Sequence, residues 1–264
     1  MTLPPDGGAG GVRNPTGRFT DRVANYVLYR PNYPSGVLDV LREETGLTSE
    51  HVIADIGSGT GISSELFLRN GNGVYGVEPN EAMRSAAVDL EERYGSYRCV
   101  DGTAEATGLA SASVAYVVAG QAFHWFDQAR ARTEFARILE PDGWVVLLWN
   151  ARRTDSTPFL REYERLLRTF GTDYGAVQHT NIDIEYLRPF FAPSMLQLRR
   201  LYNEQRFDFE GLKGRLLSSS YVPSEGHPRH RPMLQALRAR FDERAEEGEV
   251  CFEYDTEVYF GRLG

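Results

Sequence analysis

The chain has 264 residues and a mass of 29.7 kDa, large enough to bury about three quarters of its surface on folding. Apolar residues make up 41%, charged residues 25% and aromatics 12%, a balance that excludes disorder and collagen-like repeats, and no apolar run approaches the roughly 20 residues of a bilayer span. The net charge of −8, with no continuous basic stripe, argues against nucleic acid as a partner. Cys99 and Cys251 lie far apart in apolar stretches, as expected of buried reduced thiols. Met1 to Arg13 has neither the charged start nor the apolar core of a signal peptide, so the expected location is cytoplasmic, with no membrane partner. Lys213 is the only lysine, which removes Schiff-base and P-loop mechanisms.

In chain order, residues 1–17 are rich in proline and glycine and read as a frayed leader. Phe19 to Tyr29 reads as a helix stopped by Pro31 and Pro34, and Val37 to Glu44 as a second. Short apolar runs then alternate with amphipathic stretches, the pattern of βαβ units on a parallel sheet. The strands read Val52 to Ile56, Gly73 to Val77, Tyr97 to Val100, Val114 to Ala119 and Trp144 to Trp149, with helices Ser63 to Arg69, Glu81 to Tyr94 and Ala129 to Leu139 between them. Pro141-Asp142-Gly143 is a turn feeding the fifth strand. Helices Pro158 to Phe170 and Ile184 to Phe190 follow, then strands Leu196 to Tyr202 and Cys251 to Phe260, seven strands in all. The expected fold is α/β: a doubly wound, seven-stranded, mostly parallel sheet with N-terminal helices and a helical lid insertion. Residues 18–264 read as a single domain, with 151–195 and 210–248 contributing lid and substrate pocket.

The chemistry concentrates in Val52-Ile53-Ala54-Asp55-Ile56-Gly57-Ser58-Gly59-Thr60-Gly61, an apolar strand ending in a glycine loop that lets backbone lie against a ligand. The spacing is G-x-G-x-G; Ile62 stands where a dinucleotide fingerprint needs glycine or alanine, and no Lys-Ser or Lys-Thr pair completes a P-loop. The next strand, Val74 to Val77, ends on Glu78, 23 residues after Asp55. A carboxylate there can accept both hydroxyls of a ribose, or can be an ordinary strand-end acid.

These segments resemble the class I S-adenosylmethionine-dependent methyltransferases of the type 11 group. Ala54 to Gly61 is similar to their first motif and Gly76-Val77-Glu78-Pro79-Asn80 to their second-strand motif. Arg30-Pro31-Asn32-Tyr33-Pro34 and Gly120-Gln121-Ala122-Phe123-His124-Trp125-Phe126 resemble segments of a branch related to trans-aconitate methyltransferases. The resemblance covers residues 19 to 150 well and the rest loosely, and it implies a Rossmann-like methyltransferase fold with S-adenosyl-L-methionine as cofactor. By the same resemblance Asp55 organises the glycine loop, Gly57 and Gly59 admit the methionine moiety, and Glu78 holds the ribose. Adenine lies near Thr103, Ala104 and Glu105; Thr103 stands where the family usually has Asp. Ser58, Gly61, Pro79 and Gln121 complete the expected cofactor set.

A sulfonium methyl is already activated for in-line displacement, so alignment and water exclusion are the main demands, and no metal is needed. Tyr26, Tyr33, Trp125 and Tyr221 are candidate walls of the substrate pocket, for which core packing is the rival reading. Arg30 is a candidate partner for the cofactor carboxylate, or a surface ion pair with Glu43 or Glu44. His124 is the catalytic candidate: near its ordinary pKa of about 6.5 it can take an acceptor's proton, or it can simply pack beside Trp125 and Phe126. His227 and His230, flanking Pro228, read as a polar loop rather than a metal pair. The expected activity is methyl transfer to a small organic acceptor by a monomer or homodimer. A catalytically silent S-adenosylmethionine-binding protein and a nicotinamide-dependent dehydrogenase are the alternatives.

Overall fold

The computed structural model describes residues 29–172, 174, 183–219 and 221–264. The expected leader, and all of the expected first helix except Tyr29, lie outside them. Helix α1 (Gly36–Thr45) turns Val37, Leu38 and Leu41 inward and ends where Gly46, at φ +77°, sends its N–H back to Arg42 O, the left-handed stop that favours glycine. Strand β1 (Ile53–Ile56), α2 (Ile62–Arg69) and β2 (Val74–Val77) follow. The helix expected over residues 81–94 is two short helices, α3 (Glu81–Ala86) and α4 (Val88–Arg93), which meet at Ala87. Strand β3 (Tyr97–Val100), β4 (Val114–Gly120), a 3-10 turn (Phe123–Trp125) and α5 (Gln128–Ile138) lead to β5 (Leu139–Arg152). Leu139 pairs with Val114 and regular pairing resumes at Trp144 with Tyr116, so the expected Pro-Asp-Gly turn is an irregularity inside the strand, with Asp142 at φ +66°.

The remaining elements are α6 (Pro158–Phe170), α7 (Ile184–Phe191), β6 (Leu196–Phe207), α8 (Phe209–Leu217), α9 (His230–Arg244) and β7 (Val250–Gly261). Several helix starts were written locally: Asn80, Asp127, Thr157, Asp183 and Asp208 each accept a hydrogen bond from a backbone N–H of the first turn they precede. The sheet runs β3-β2-β1-β4-β5-β7-β6, parallel from β3 to β5, with β7 antiparallel to both of its neighbours. It is the doubly wound, mostly parallel sheet expected.

Helices cover both faces, which is why the central strands are continuous apolar runs. Ile53, Val74, Tyr116, Val118, Val146 and Leu148 pack with α1 and α2, while Ala54, Val77, Val117, Val145 and Leu147 pack with α5 and α7. A third apolar cluster joins α6, α8 and α9 to the outer ends of β6 and β7 through Leu160, Leu167, Leu212, Leu216, Leu237 and Phe252. Both cysteines are half-buried rather than buried: Cys99 lies on the edge strand β3, and Cys251 lies on the face of β7 that Glu253, Asp255 and Glu257 share, all half-buried. No described helix is long and apolar enough to cross a membrane.

Candidate active site

Strand order reverses direction at β1 and β4, and in an open α/β sheet the crevice at the carboxyl ends of such strands is where ligands bind. A cleft of about 280 Å³ lies there, close to the ~300 Å³ at which small-molecule sites begin. Each wall is a strand end: Gly57 and Gly59 follow β1, Glu78, Pro79 and Asn80 follow β2, Thr103, Ala104 and Glu105 follow β3, and Gly120, Gln121 and Ala122 close β4. Met83 of α3, Trp125 and Phe126 complete the lining.

The glycine loop is left-handed at all three glycines, with φ of +68° at Gly57, +56° at Gly59 and +86° at Gly61, a conformation side chains resist. Their surroundings differ. A Cβ on Gly59 meets nothing within 4 Å, so open space lies against its backbone, as a cradle for a ligand requires. A Cβ on Gly61 would stand 2.2 Å from Leu90 Cδ1, so that glycine lets α4 pack and does not line the cleft.

Two carboxylates hold the loop. Glu78 accepts from Gly59 N–H at 3.0 Å and from Asn80 N–H at 2.8 Å, one oxygen each, which ties the β1 loop to the β2 loop and leaves each oxygen a further lone pair toward the cleft. Burial pushes its pKa up, against the pull of those two N–H groups and of Arg84. Asp55 stands behind the loop, fully buried, with Oδ2 accepting from Ser63 at 2.7 Å and Ser64 at 2.6 Å. Burial raises its pKa to about 6, against the opposing serine hydroxyls.

Nine expected residues are brought together around the cleft: Gly57, Gly59, Glu78, Pro79, Thr103, Ala104, Glu105, Gln121 and Trp125. Thr103 lies in a tight backbone turn with Ala106, and Glu105 is engaged by the Asp127 N–H at 2.8 Å. Asp55, Ser58 and Gly61 sit behind the loop, outside the lining. Tyr33 is at the rim: a Cβ on the cleft residue Gly120 would lie 2.8 Å from its Oη. Arg30 donates to Ser218 O at 3.1 Å, which fixes the Arg30–Pro34 segment to the end of α8. Tyr221 stacks on Tyr174 in the helical layer, 4.9 Å between rings. Tyr26 lies outside the described residues.

His124 sits in the 3-10 turn after β4, its ring 4.6 Å from Trp125 and 6.0 Å from Trp149, adjoining the cleft without lining it. His227 accepts from Arg229 N–H and His230 lies 2.9 Å from Pro223 O, so both serve the loop that leads into α9. Among the described residues no three His, Cys, Asp or Glu side chains gather as a metal site. Sequence reading missed Asn80, Met83, Gly120, Ala122 and Phe126. Asn80 carried a signal, a helix-capping residue directly after the strand-end acid.

The glycine loop after β1, the buried acid after β2 and the antiparallel β7 between β5 and β6 sit on a Rossmann-like fold shared with solved methyltransferase structures. Residues 54–147 match the methyltransferase domain family of type 11. An uncharacterised methyltransferase-like protein of Schizosaccharomyces pombe is 30% identical over 156 residues, 59% of either chain. The match thus spans about three fifths of that relative's length. Among solved structures, a type II methyltransferase of Anaeromyxobacter dehalogenans superposes with a TM-score of 0.64 at 24% identity, covering 89% of this chain and 98% of that one. A phosphoethanolamine N-methyltransferase of Haemonchus contortus, solved with S-adenosyl-L-methionine, gives 0.55 at 13% identity over 97% of this chain and 61% of that one.

Proposed function

We propose that the protein binds S-adenosyl-L-methionine in this cleft and transfers its methyl group to a small organic acceptor. The observation that carries the reading is Glu78, clamped by Gly59 and Asn80 N–H groups yet facing the cleft with spare acceptor capacity, where two vicinal hydroxyls can be held. When bound, the sulfonium supplies the activated methyl. The chain's residues orient and enclose: Gly57 and Gly59 bring backbone against the amino-acid end, Thr103, Ala104 and Glu105 flank the base, and Trp125 and Phe126 exclude water from the acceptor side. To His124, next to Trp125, we assign the role of taking a proton from the acceptor. The Arg30–Pro34 and Gly120–Phe126 segments support, as the finer reading, the branch related to trans-aconitate methyltransferases.

Calorimetric titration with S-adenosylhomocysteine and NADH tests this. We expect binding of the first only, weakened about 100-fold or more in Glu78→Ala, since two charged hydrogen bonds are worth about 1.5–3 kcal/mol each. Binding of NADH instead would move the protein to the dehydrogenases. Methyl transfer to a library of small acceptors separates an enzyme from a silent binder, and His124→Asn should then lower kcat about 100-fold with cofactor affinity unchanged.

A further inference from the structure

Charge is unevenly distributed in the layer formed by α6, α8 and α9. Arg215 of α8 is only 6% exposed, yet among the described residues its guanidinium meets no carboxylate. Its polar partners are the hydroxyls of Tyr254 and Ser219, each at 3.4 Å, the long edge of hydrogen bonding, and its flat face lies 5.9 Å from the Phe252 ring. The layer's buried acid, Glu164, is already committed to Arg152 at 2.6 Å, to Arg168 at 3.0 Å and to the Tyr174 hydroxyl at 2.6 Å. Tyr163, 2% exposed, has a buried hydroxyl with no hydrogen-bond partner among the described residues, and the Arg152 guanidinium lies 5.2 Å over its ring. A cation and a donor hydroxyl buried together, both short of an acceptor, are costly unless something supplies one.

Among the described residues the cleft is lined by none from α6, α8 or α9, but β5 connects it to this layer. Gln121, in the cleft lining, donates to Asn150 O at 3.2 Å, and Asn150 precedes Arg152 by two residues on the same face of β5. We infer that Arg215 and Tyr163 bind an anionic group of the acceptor, a carboxylate or a phosphate, and that this group is a handle distinct from the atom that takes the methyl. The second part follows from the first: lone pairs engaged by a guanidinium and a phenol are poor nucleophiles, so the accepting atom lies elsewhere on the molecule, toward Trp125 and His124. Tyr221 fits the same environment, for although burial alone would raise its pKa, Arg215, Arg30 and Arg152 bring it below the ordinary value.

The inference rests on the methyltransferase reading for the word acceptor, and its test does not. The full chain, in chloride-free buffer with and without S-adenosylhomocysteine, is titrated with succinate, inorganic phosphate and the neutral control succinamide, following the melting temperature. We expect succinate or phosphate to raise it and succinamide to leave it unchanged; which anion acts names the group. Arg215→Met and Tyr163→Phe should each raise the anion Kd at least tenfold, while the ligand-free melting temperature stays level or rises because an unsatisfied buried group has gone. A structural arginine predicts the reverse, a large fall in the ligand-free melting temperature. Absence of an anion effect, or one indifferent to Tyr163→Phe, overturns the inference even where Arg215→Met does not fold. Failure of S-adenosylhomocysteine to bind alongside an intact anion effect overturns the methyltransferase reading alone.

Discussion

The glycine loop and the helical layer of α6, α8 and α9 handle the burial of charge in opposite ways. At the glycine loop the buried charges are acids held by donors of the chain itself: Asp55 Oδ2 by two serine hydroxyls, its Oδ1 having no hydrogen-bond partner among the described residues, and Glu78 by two backbone N–H groups. In the helical layer two arginines are largely buried, and among the described residues only Arg152 is paired with a carboxylate, that of Glu164. A loop whose acids are gripped by donors of its own chain can be rigid before anything binds. A region left short of one acceptor is completed by its ligand, and the stability forgone there becomes selectivity.

Breaking the completed pair in the helical layer should have the largest effect. Glu164→Gln leaves Arg152, whose side chain is 12% exposed, without its anion, and should lower unfolding free energy by about 3–5 kcal/mol in urea denaturation. Arg215→Met, in the same layer, should lower it little or not at all. If the two variants fall together, the contrast between a paired and an unpaired arginine is wrong.

The glycine-loop end is sharpened by pH. Asp55 has a folded pKa of about 6 against an ordinary 3.8, so folding takes up a proton between these values. Its favourable contribution is complete below about pH 4 and lost as pH rises through 6, amounting to roughly 3 kcal/mol at ~1.4 kcal/mol per pKa unit. Asp55→Asn should remove that slope, so the difference between wild type and variant, measured by denaturation at pH 4 and pH 7, should shrink or reverse toward pH 7. An identical slope in both would show the acid to be less buried than described. The smallest effect belongs to the seam between the two ends: a Cβ on Gly214 would stand 2.0 Å from the Tyr29 ring. Gly214→Ala should cost about 1–3 kcal/mol and loosen the Arg30–Pro34 segment, seen as faster hydrogen exchange at Arg30 and Asn32.

The same contrast explains what could be read from sequence. The five parallel strands were legible because strands covered on both faces are unbroken apolar runs, and the two antiparallel ones by their alternating residues, while Asp55, Gly57 and Gly59 stood out because the loop after β1 is a local feature of consecutive residues. Glu78 was legible by its distance along one βα unit. Arg215 was not singled out, although its place three residues after Leu212 and one before Leu216 puts it on an inward helical face. A single arginine in an amphipathic helix gives no sign of which acids the fold will bring to it. That absence is a tertiary fact, as is the packing role of Gly61, which depends on Leu90 arriving from another helix. The break of the 81–94 helix at Ala87 likewise answers to packing around the loop rather than to any breaker in its own sequence.

Strands β6 and β7 are 12 residues long where β1, β2 and β3 have four, and their outermost pair joins Phe207 to Val250. The chain therefore leaves the sheet at Phe207, builds α8 and α9, and re-enters beside its point of departure. Residues 208–249 are in effect a cassette with adjacent terminals. Another insert of compatible ends can be spliced between the same two strands, exchanging α8 and α9 while the glycine loop and its acids stay untouched.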